Sequence, residues 1–504
     1  MREIKKVHLT AICGMGMGTL AGLLKSAGYE VTGSDENVYP PMSTQLQSLG
    51  IDIMTGYSPD NLTHHPDLVI VGNTCKESNP EVQAAFAMGL NIMSFPQALA
   101  EYFIQDRIAM VVTGTHGKTT TTSLTAWVLA HASLDPSFFI GGIAKNFNSS
   151  FHQGAGRHIV IEGDEYNTAF FNKVPKFTHY RPTMGLINSL EFDHGDIYPT
   201  LEHIKTAFRG FVKQIPTHGF LAVCTDFPAA RDVMHDARCT LETYGMNGDA
   251  KWTARDLVAS EDGTTYTLVC GREEMGTFFI PMCGRHNVQN ALGATVLCVQ
   301  AGLSLEQIRQ GLATFGGVRR RQDVRGIVDN VVVIDDFAHH PTKVRETVKG
   351  LKSRYPTRRL WAIFEPRTAS SRRDFFQKDY INSFLDADRV VVADVFHPEQ
   401  IEPGRLFNSP QLVEDLLEAG KDACFLPTAD DIVTLFRREL QAGDVVLVMS
   451  NGAFDGILDK TVGMLEERLK SRPHPVQPLT LSVDGVLSLN GGSRVKAVEV
   501  RKAV

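Results

Sequence analysis

Seven residues near position 115 have the types and the order that bind a polyphosphate: Gly114, Thr115, His116, Gly117, Lys118, Thr119 and Thr120. Glycines let backbone N–H groups approach an anion, the lysine adds a full positive charge, and the first threonine hydroxyl can reach Mg²⁺. The strict pattern G-x-x-x-x-G-K-[ST] is not met, because Val112 stands where its first glycine should be. The alternative is a glycine-containing strand-to-helix turn with an exposed lysine, but an apolar strand before the turn and a helical pattern after it favour a phosphate loop.

Two acidic segments further along the chain are candidates for a metal site beside this loop. Glu162 follows an apolar run at 158–161, and His194 lies in an acidic segment that follows another run at 184–187. Both runs are predicted strands, and in an open α/β sheet the carboxyl ends of the strands form the ligand crevice. Oxygen ligands from Thr119 and Glu162, with His194 and substrate phosphates, would suit Mg²⁺. Taken singly, Glu162 is equally compatible with an exposed loop acid, and His194 with a surface histidine.

A second glycine-rich segment follows a predicted strand near the start of the chain and consists of Gly14, Met15, Gly16, Met17 and Gly18. Asp35 comes about 20 residues later at the end of the next predicted strand, where dinucleotide-binding units carry an acid. The spacing is G-x-G-x-G rather than G-x-G-x-x-G, because Thr19 takes the last place. A generic βαβ turn and a ligand loop therefore both remain open.

Two other function classes could use one of these loops. An NAD-dependent oxidoreductase would use residues 14–18 and Asp35, but it would leave the lysine loop without a role. A nucleotide-hydrolysing switch or transport ATPase would use the lysine loop, but it would leave the first and last parts of the chain unexplained.

A helix is predicted to begin near residue 286, and polar loops follow later strands. His286 and Asn290 are four residues apart, so they share one face of this helix and could bond a purine edge. A helix-capping role for Asn287 is equally open. The later strands, predicted at 331–334, 361–364 and 445–449, lead into polar loops that contain Asp336, His340, Arg367, Asn451 and Asp455.

The elements that must position these loops indicate an α/β protein with three domains. A chain of 504 residues is too long for a single core. Alternating strands and helices predict mostly parallel sheets, with Rossmann-like first and third domains and a central domain of the P-loop ATPase type. The expected bounds are 1–106, 107–316 and 317–470, followed by a tail at 471–504 to which the sequence assigns no role.

Composition excludes several function classes. The formal net charge of −7 gives no sign of nucleic-acid binding. The 8 cysteines form no C-x-x-C pair, which is typical of reduced thiols rather than of disulfides or a zinc site. No run reaches the roughly 20 apolar residues that span a bilayer, and no signal-peptide pattern opens the chain. We therefore expect a cytoplasmic protein without membrane insertion, whose partners are small molecules.

Together the motifs resemble the Mur ligase family, whose members are ATP-dependent amide-forming enzymes of peptidoglycan synthesis. The resemblance covers residues 5–465 in order. The residues that carry it are the loop at 114–119, Glu162, Asp193, His194, His286, Asn287, Asn290, Arg320, Arg321, Asp336, His339, His340 and Pro341. It implies ATP and Mg²⁺ as cofactors and a first domain that binds a UDP-sugar.

Within the family, the loop at 14–18 and the run at 335–341 resemble the branch that accepts UDP-N-acetylmuramate. Some members of this branch join UDP-N-acetylmuramate to the recycled tripeptide L-alanyl-γ-D-glutamyl-meso-diaminopimelate. The chain resembles these members further at residues 33–44, 188–194, 365–367 and 449–452. The alternative is the biosynthetic member that adds L-alanine. Either reaction implies an acyl phosphate, which forms when the lactyl carboxylate attacks the γ-phosphate of ATP and is consumed by the incoming amine.

The resemblance also implies roles for the candidate residues. Catalytic roles fall to Lys118, Glu162, His194 and His340, and metal binding to Thr119, Glu162 and His194. ATP would be bound by the loop at 114–120 with His286, Asn290, Arg321 and Asp336. The UDP-sugar would be bound by residues 14–18, Ser34 and Asp35, and the peptide by Arg367, Arg372, Asn451 and Asp455. For the carbamylated lysine of several members, Lys213 is a weak candidate, and we expect a monomer or weak homo-oligomer.

Overall fold

The computed structural model describes residues 4–38, 42–195, 197–402 and 404–471. The tail expected at 471–504 lies outside the described residues except for Ser471, as do residues 39–41 of the segment at 33–44. The described chain forms three main sheets that carry helices, and most of their strands are parallel. The predicted α/β class is therefore confirmed, whereas the exact domain bounds stay predictions.

The first sheet has five strands: β1 (Lys6–Thr10), β2 (Glu30–Asp35), β3 (Asp52–Thr55), β4 (Leu68–Val71) and β5 (Ile92–Ser94). The helices of this part are α1 (Met15–Ser26), α2 (Met42–Ser48), α3 (Pro80–Ala87) and α4 (Phe95–Leu99), and a π-helical turn at Ala100–Ile104 continues α4. The strands are parallel in the order β3-β2-β1-β4-β5, which is the Rossmann arrangement. β1 and β4 are buried along nearly their whole length, because apolar clusters cover both faces of the sheet.

The central part contains β6 (Ile108–Thr113), β7 (Ser137–Ala144), β8 (Ser149–His152), β9 (His158–Glu162), β10 (Asn167–Ala169), β11 (Asn172–Pro175), β12 (Met184–Ile187), β13 (Phe220–Cys224), β14 (Thr240–Tyr244), β15 (Trp252–Ala259), β16 (Thr264–Cys270) and β17 (Glu273–Ile280). Its helices are α5 (Lys118–His131), α6 (Leu201–Gln214), α7 (Pro228–Met234), α8 (Arg285–Gln300) and α9 (Leu305–Ala313). A ten-stranded sheet runs in the order β17-β16-β15-β14-β13-β12-β6-β9-β7-β8, and β10 pairs only with β11. The strands from β14 to β7 are parallel, so the lysine loop after β6 lies between the ends of β9 and β12.

The edges of the central sheet are antiparallel, which the sequence analysis does not predict. β15, β16 and β17 form an antiparallel meander, and β8 pairs antiparallel to β7. Buried and partly buried residues alternate along most of β16, as expected when one face of an antiparallel strand packs on a core. Such an alternating pattern is weaker evidence for a strand than the continuous apolar runs that mark the buried parallel strands.

The third part contains β18 (Asp323–Val328), β19 (Val331–Asp336), β20 (Leu360–Phe364), β21 (Arg389–Val392), β22 (Asp422–Phe425) and β23 (Val445–Met449). Its helices are α10 (Pro341–Arg354), α11 (Asp379–Ser383), α12 (Ser409–Glu418), α13 (Ala429–Glu439) and α14 (Ile457–Ser471). Five strands are parallel in the order β19-β23-β20-β21-β22, and β18 pairs antiparallel to β19 at the edge. The three strands predicted from apolar runs, β19, β20 and β23, are neighbours, so the polar loops that follow them converge.

The three parts pack against one another. The rings of Phe95 and Phe139 lie 5.1 Å apart between the first and central parts. Between the central and third parts, the Ser370 hydroxyl donates to Asp193 Oδ1 over 2.9 Å, and this contact is buried. The ends of β6, β9 and β12 therefore face the third part. Among the described residues, no helix is long and apolar enough to cross a membrane.

Candidate active site

The predicted phosphate loop connects the end of β6 to the start of α5. α5 begins at Lys118, and the residue before it, Gly117, has φ of +79°, a conformation that strains any residue with a side chain. A Cβ atom at Gly117 would lie 2.0 Å from Nδ2 of Asn188. Both the conformation and the space require glycine here. The loop thereby presents backbone N–H groups at a helix N-terminus, where the helix dipole favours an anion.

Lys118 is held by a buried carboxylate. Its Nζ lies 2.9 and 2.8 Å from the two carboxylate oxygens of Glu165 and donates to the Gly114 carbonyl over 2.7 Å. His194 Nε2 lies 2.7 Å from the same carboxylate, which is 1% exposed. Burial opposes the charges of Lys118 and His194, but Glu165 outweighs it and raises the pKa of both groups. One buried carboxylate therefore favours the charged forms of two groups beside the loop.

Thr119 and Glu162 form an oxygen-rich pair at the same edge of the sheet. The Thr119 hydroxyl donates to Glu162 Oε1 over 2.8 Å, and the Gly141 N–H donates to Oε2 over 2.7 Å. A hydroxyl and a carboxylate are the ligands that Mg²⁺ prefers, so these two residues fit that metal. The predicted third ligand, His194, turns to Glu165 instead, and its raised pKa favours an imidazolium that has no lone pair to give. His194 as a metal ligand stays a prediction that requires loss of this proton.

A cluster of two imidazoles and a carboxyl group bridges the loop and the third part. His116 Nε2 lies 3.1 Å from Glu191 Oε2, and the rings of His116 and His340 are 4.6 Å apart. Among the described residues these three form the one group of histidine, cysteine or acidic side chains whose ligand atoms all lie within 4.8 Å. Burial lowers the pKa of His116 to about 3 and that of His340 to about 4, so both rings are neutral. His340 Nδ1 accepts from the Thr342 N–H over 3.3 Å, which leaves its proton on Nε2 and makes that atom a donor rather than a metal ligand.

A cavity of about 390 Å³ opens between the loop, the start of α8 and the third part. Arg321 lines it and lies over the Phe337 ring at 4.8 Å from the centroid. Asp336 also lines it, and its carboxylate accepts from the N–H groups of Gln322 and Ala338 over 2.7 and 2.8 Å. Residues of two parts of the chain therefore enclose one space next to the phosphate loop.

The two predicted adenine-binding residues differ in their surroundings. His286 lines the cavity, its Nδ1 is buried without a partner among the described residues, and burial lowers its pKa to about 3. Asn290 also lines the cavity, but its Oδ1 accepts from Asn188 Nδ2 over 2.8 Å and from the Thr121 hydroxyl over 3.3 Å. The contacts of Asn290 therefore support the lysine loop, and its contact with adenine stays a prediction. Asn287, the alternative capping residue, bonds the Cys283 carbonyl with its side-chain amide.

The glycine-rich segment at 14–18 is mostly helical rather than a loop. Gly14 precedes α1, and the remaining four residues form its first turn. Asp35 Oδ2 accepts from the Cys13 N–H over 2.9 Å, so this acid fixes the turn before the helix. The Ser34 hydroxyl donates to Oε1 of the fully buried Glu81 over 2.6 Å and so turns into the domain. A helix N-terminus remains available for a diphosphate, while a part for the Ser34 hydroxyl in ligand binding stays a prediction.

Three domain families of the Mur ligases match consecutive parts of the chain. The catalytic domain of the Mur ligase family matches residues 6–107, the Mur ligase middle domain 112–298, and the glutamate ligase domain of Mur ligases 319–452. A relative from Escherichia coli strain K12, named UDP-N-acetylmuramate–L-alanyl-gamma-D-glutamyl-meso-2,6-diaminoheptandioate ligase, is 35% identical over 468 residues, which are 92% of this chain and 99% of that protein. This chain belongs to the Mur ligase family.

Other similar proteins of the family carry two different names. A solved murein peptide ligase from Psychrobacter arcticus is 34% identical, with a TM-score of 0.68 and coverage of 92% of this chain and 99% of that one. A UDP-N-acetylmuramate–L-alanine ligase from Acetivibrio thermocellus is 32% identical over 89% of this chain and 94% of its own. The solved UDP-N-acetylmuramate-alanine ligase from Thermotoga maritima has a TM-score of 0.77 at 24% identity, covers 93% of this chain and 100% of that one, and shows the fold alone. The Mur ligase described here is thus an ATP-dependent ligase, and the oxidoreductase and plain ATPase alternatives are wrong.

The four predicted peptide-binding residues of this Mur ligase are only partly brought together. The Arg367 guanidinium lies 3.5 Å from the centroid of the Phe396 ring, and Arg372 donates to the Phe396 carbonyl over 3.2 Å. Asn451 has a buried Oδ1 without a partner among the described residues. Asp455 instead pairs with Lys460 over 2.6 Å and is 71% exposed. Arg367 and Arg372 therefore share Phe396 as a neighbour, whereas Asp455 pairs with a residue outside this group.

Three residues at the site of this Mur ligase were not singled out from the sequence. Glu165 holds Lys118, Asn188 bonds the His116 carbonyl over 3.0 Å, and Lys343 lines the cavity. An acid three residues after Glu162 and an asparagine directly after β12 carry a weak signal, because both stand at strand ends. The weak candidate Lys213 is exposed, and its Nζ lies 3.7 Å from Asp236 Oδ1. Within the described residues, its side chain makes no hydrogen bond or ion pair with Thr119 or Glu162.

Proposed function

We propose that this Mur ligase joins UDP-N-acetylmuramate to the tripeptide L-alanyl-γ-D-glutamyl-meso-diaminopimelate in peptidoglycan recycling. The observation that carries the proposal is the similarity of nearly the whole chain to the Escherichia coli relative named for these substrates. The cavity supports it, because a lysine loop, a cationic third-domain residue and a neutral imidazole cluster surround one space. Since the reaction consumes ATP, we place it in the cytoplasm. We propose that it acts as a monomer or a weak homo-oligomer.

The chemistry requires two steps between anionic partners. The lactyl carboxylate attacks the γ-phosphorus of ATP and releases ADP, and the peptide amine then attacks the acyl carbon and releases phosphate. Positioning and charge neutralisation must supply most of the catalysis. Lys118 neutralises the developing phosphate charge from the loop, and Arg321 does so from the third domain. Mg²⁺ held by Thr119 and Glu162 would neutralise further charge on the phosphates.

The amine must lose a proton before it attacks. His340 and His116 are neutral, and their cluster with Glu191 lies where the loop meets the third domain. The buried Nε2–H of His340 has no partner among the described residues and can donate a hydrogen bond to an oxygen of the reacting carboxylate or acyl phosphate. The proton of the amine then passes to water or to the Glu191 carboxylate, whose pKa burial raises. We assign His340 a catalytic role on this basis.

The UDP-sugar is proposed to bind at the N-terminus of α1. In Gly16, a Cβ atom would lie no closer than 3.7 Å to any neighbouring atom, so Gly16→Ala should leave the free energy of unfolding within about 0.5 kcal/mol of the parent. If the diphosphate approaches this turn, the same methyl group should raise the KM for UDP-N-acetylmuramate by about tenfold. The control is Gly210→Ala in α6, where no atom lies within 4 Å of the added Cβ. An unchanged KM in Gly16→Ala would contradict this site.

The peptide is proposed to bind beside Arg367 and Arg372. A tripeptide carries several carboxylates, and arginine binds a carboxylate through two parallel hydrogen bonds. Arg367 lies only 3.4 Å from Glu365 Oε1, a partner that a substrate carboxylate can replace, while Arg372 is engaged with main-chain carbonyls and Gln400. Arg367 is therefore the stronger candidate for direct contact.

Phosphate release with a panel of amines tests the proposed substrate. We expect kcat/KM for the tripeptide to exceed that for L-alanine by at least about tenfold, a difference of roughly 1.4 kcal/mol in transition-state binding. Arg367→Ala should remove much of this difference without changing the affinity for ATP, whereas Arg405→Ala, an exposed arginine of the same domain, should not. The second candidate, addition of L-alanine, is favoured by the Acetivibrio thermocellus relative. A higher kcat/KM for L-alanine in the unmutated protein would establish it instead.

A further inference from the structure

Lys343 stands at the wall of the cavity, and its side chain has no polar partner among the described residues. It is the third residue of α10, directly after the His340-Pro341-Thr342 run, and it is partly buried. Its side chain lines the cavity together with the loop residues Gly117 and Thr120. Within the described ranges, Lys343 Nζ makes no hydrogen bond and no ion pair, whereas Lys118 and Lys176 each pair with a carboxylate.

The groups around Lys343 do not neutralise it. Two cations, two carboxylates and three imidazoles interact with it electrostatically. One cation belongs to the glycine loop and the other to the segment before β18. These groups are Lys118, Arg321, Glu162, Asp336, His116, His286 and His339. Both carboxylates are engaged elsewhere, since Glu162 accepts from Thr119 and Gly141 and Asp336 accepts from two backbone N–H groups. The three imidazoles are neutral, because burial lowers the pKa of each to about 3.

Three effects oppose a positive charge at this position in the absence of an anion. Burial, followed by the charge of Arg321, lowers the pKa of Lys343 to about 7. The first turn of α10 adds to this, because the N-terminal end of a helix dipole is positive and disfavours a cation. A lysine placed here costs stability as an isolated charge and becomes favourable only when an anion enters the cavity.

We propose that Lys343 binds the polyphosphate of ATP from the third domain, opposite Lys118 on the glycine loop. The proposal rests on the proposed function, since the anion is the ATP of that reaction. A polyphosphate fits better than a single carboxylate, because cationic groups border the cavity from both domains and His286 offers a neutral polar edge to a base. Lys343 thereby links ATP binding to the contact between the two domains.

Calorimetric titration with ATP and Mg²⁺ tests this contact. Lys343→Met should raise the Kd for ATP by about tenfold or more, because one charge-assisted contact is lost. The matched control is Lys349→Met, which makes the same change at an exposed position of α10 and should leave the Kd within about twofold. Lys343→Arg should retain most of the affinity, since arginine also binds phosphate.

Proton uptake gives a readout that a purely structural role would not move. A lysine with a pKa near 7 is mostly neutral at pH 8, and binding of the polyphosphate should restore its proton. Titrations in two buffers with different ionisation enthalpies should therefore show net proton uptake, of up to about one proton per ATP, by the unmutated protein. Lys349→Met should retain this uptake. Lys343→Met and Lys343→Arg should both lose it, because methionine cannot titrate and arginine is always charged.

The possible results separate this proposal from the proposed function. If the unmutated protein binds ATP but Lys343→Met has the same Kd and the same proton uptake, the role of Lys343 is wrong and the ligase function stands. If Lys343→Met does not fold, proton uptake by Lys343→Arg equal to that of the unmutated protein overturns the role. Failure of the unmutated protein to bind ATP overturns both proposals.

Discussion

Replacement of Lys118 by alanine is expected to lower kcat by about 10²–10³ or more. This is the loss that follows removal of one preorganised group that stabilises charge in a transition state. Lys118 is held between the Gly114 carbonyl and the Glu165 carboxylate at the start of α5, beside the loop that is proposed to bind the phosphates. Phosphate release at saturating ATP, UDP-N-acetylmuramate and tripeptide measures the effect.

Lys118→Ala leaves the buried carboxylate of Glu165 without its lysine partner. Among the described residues, the Glu165 carboxylate then keeps His194 Nε2 at 2.7 Å as a partner, so the thermal midpoint of unfolding should be recorded together with kcat. Lys118→Arg, which keeps the charge but changes its shape, should recover folding more than activity. Lys251→Ala provides the control, because this half-exposed lysine pairs with Glu242 of β14 in the same sheet. Turnover near that of the parent in a folded Lys118→Ala protein would refute the assigned role.

Replacement of Glu162 by glutamine is expected to raise the Mg²⁺ concentration for half-maximal activity by at least about tenfold and to lower kcat by about 10². The amide oxygen can still accept from the Thr119 hydroxyl or the Gly141 N–H, so the fold around the loop should persist. Only the negative charge that attracts the metal is removed. Initial rates over a range of Mg²⁺ concentrations at constant ATP measure both effects.

The matched control is Glu202→Gln, which removes the same charge from an exposed acid of α6. Its Mg²⁺ dependence should equal that of the parent. His194→Gln adds a comparison between the predicted ligands, because His194 contacts Glu165 rather than Glu162. The metal assignment would be wrong if Glu162→Gln showed the parental Mg²⁺ dependence, and a dependence changed only in His194→Gln would move the site to that residue.

The class of fold and the central chemistry of this Mur ligase follow from local patterns in the amino-acid sequence. Continuous apolar runs predict buried parallel strands because both faces of such strands are covered, and the runs at 184–187 and 445–449 are strands with the same bounds. The phosphate loop is predictable from the sequence because the groups that bind phosphate are close together in the chain. They are the glycines, the lysine and the helix that follows. Gly117 shows this directly, since its positive φ and its contact with Asn188 both exclude a side chain.

Contacts between distant residues needed the tertiary structure. Glu165 pairs with Lys118 across 47 positions, and the same carboxylate, rather than Thr119 or Glu162, is the partner of His194 Nε2. The position of Asp455 on a strand-end loop predicts a contact with the peptide, but its carboxylate pairs with Lys460 instead. A sequence pattern gives the order of residues along a strand or helix, not the direction in which a loop side chain points.

The charge states at the site also depended on the fold. Lys343 has no unusual local pattern, and its lowered pKa arises from burial and from Arg321, which reaches the same cavity from a different element. His116 and His340 are far apart in the chain, yet they become neutral neighbours where the central and third domains meet. Local sequence decided which residues could bind phosphate and metal. The packing of three domains decided which of them are charged, paired or free for a ligand, because desolvation and long-range charge depend on everything that surrounds a group.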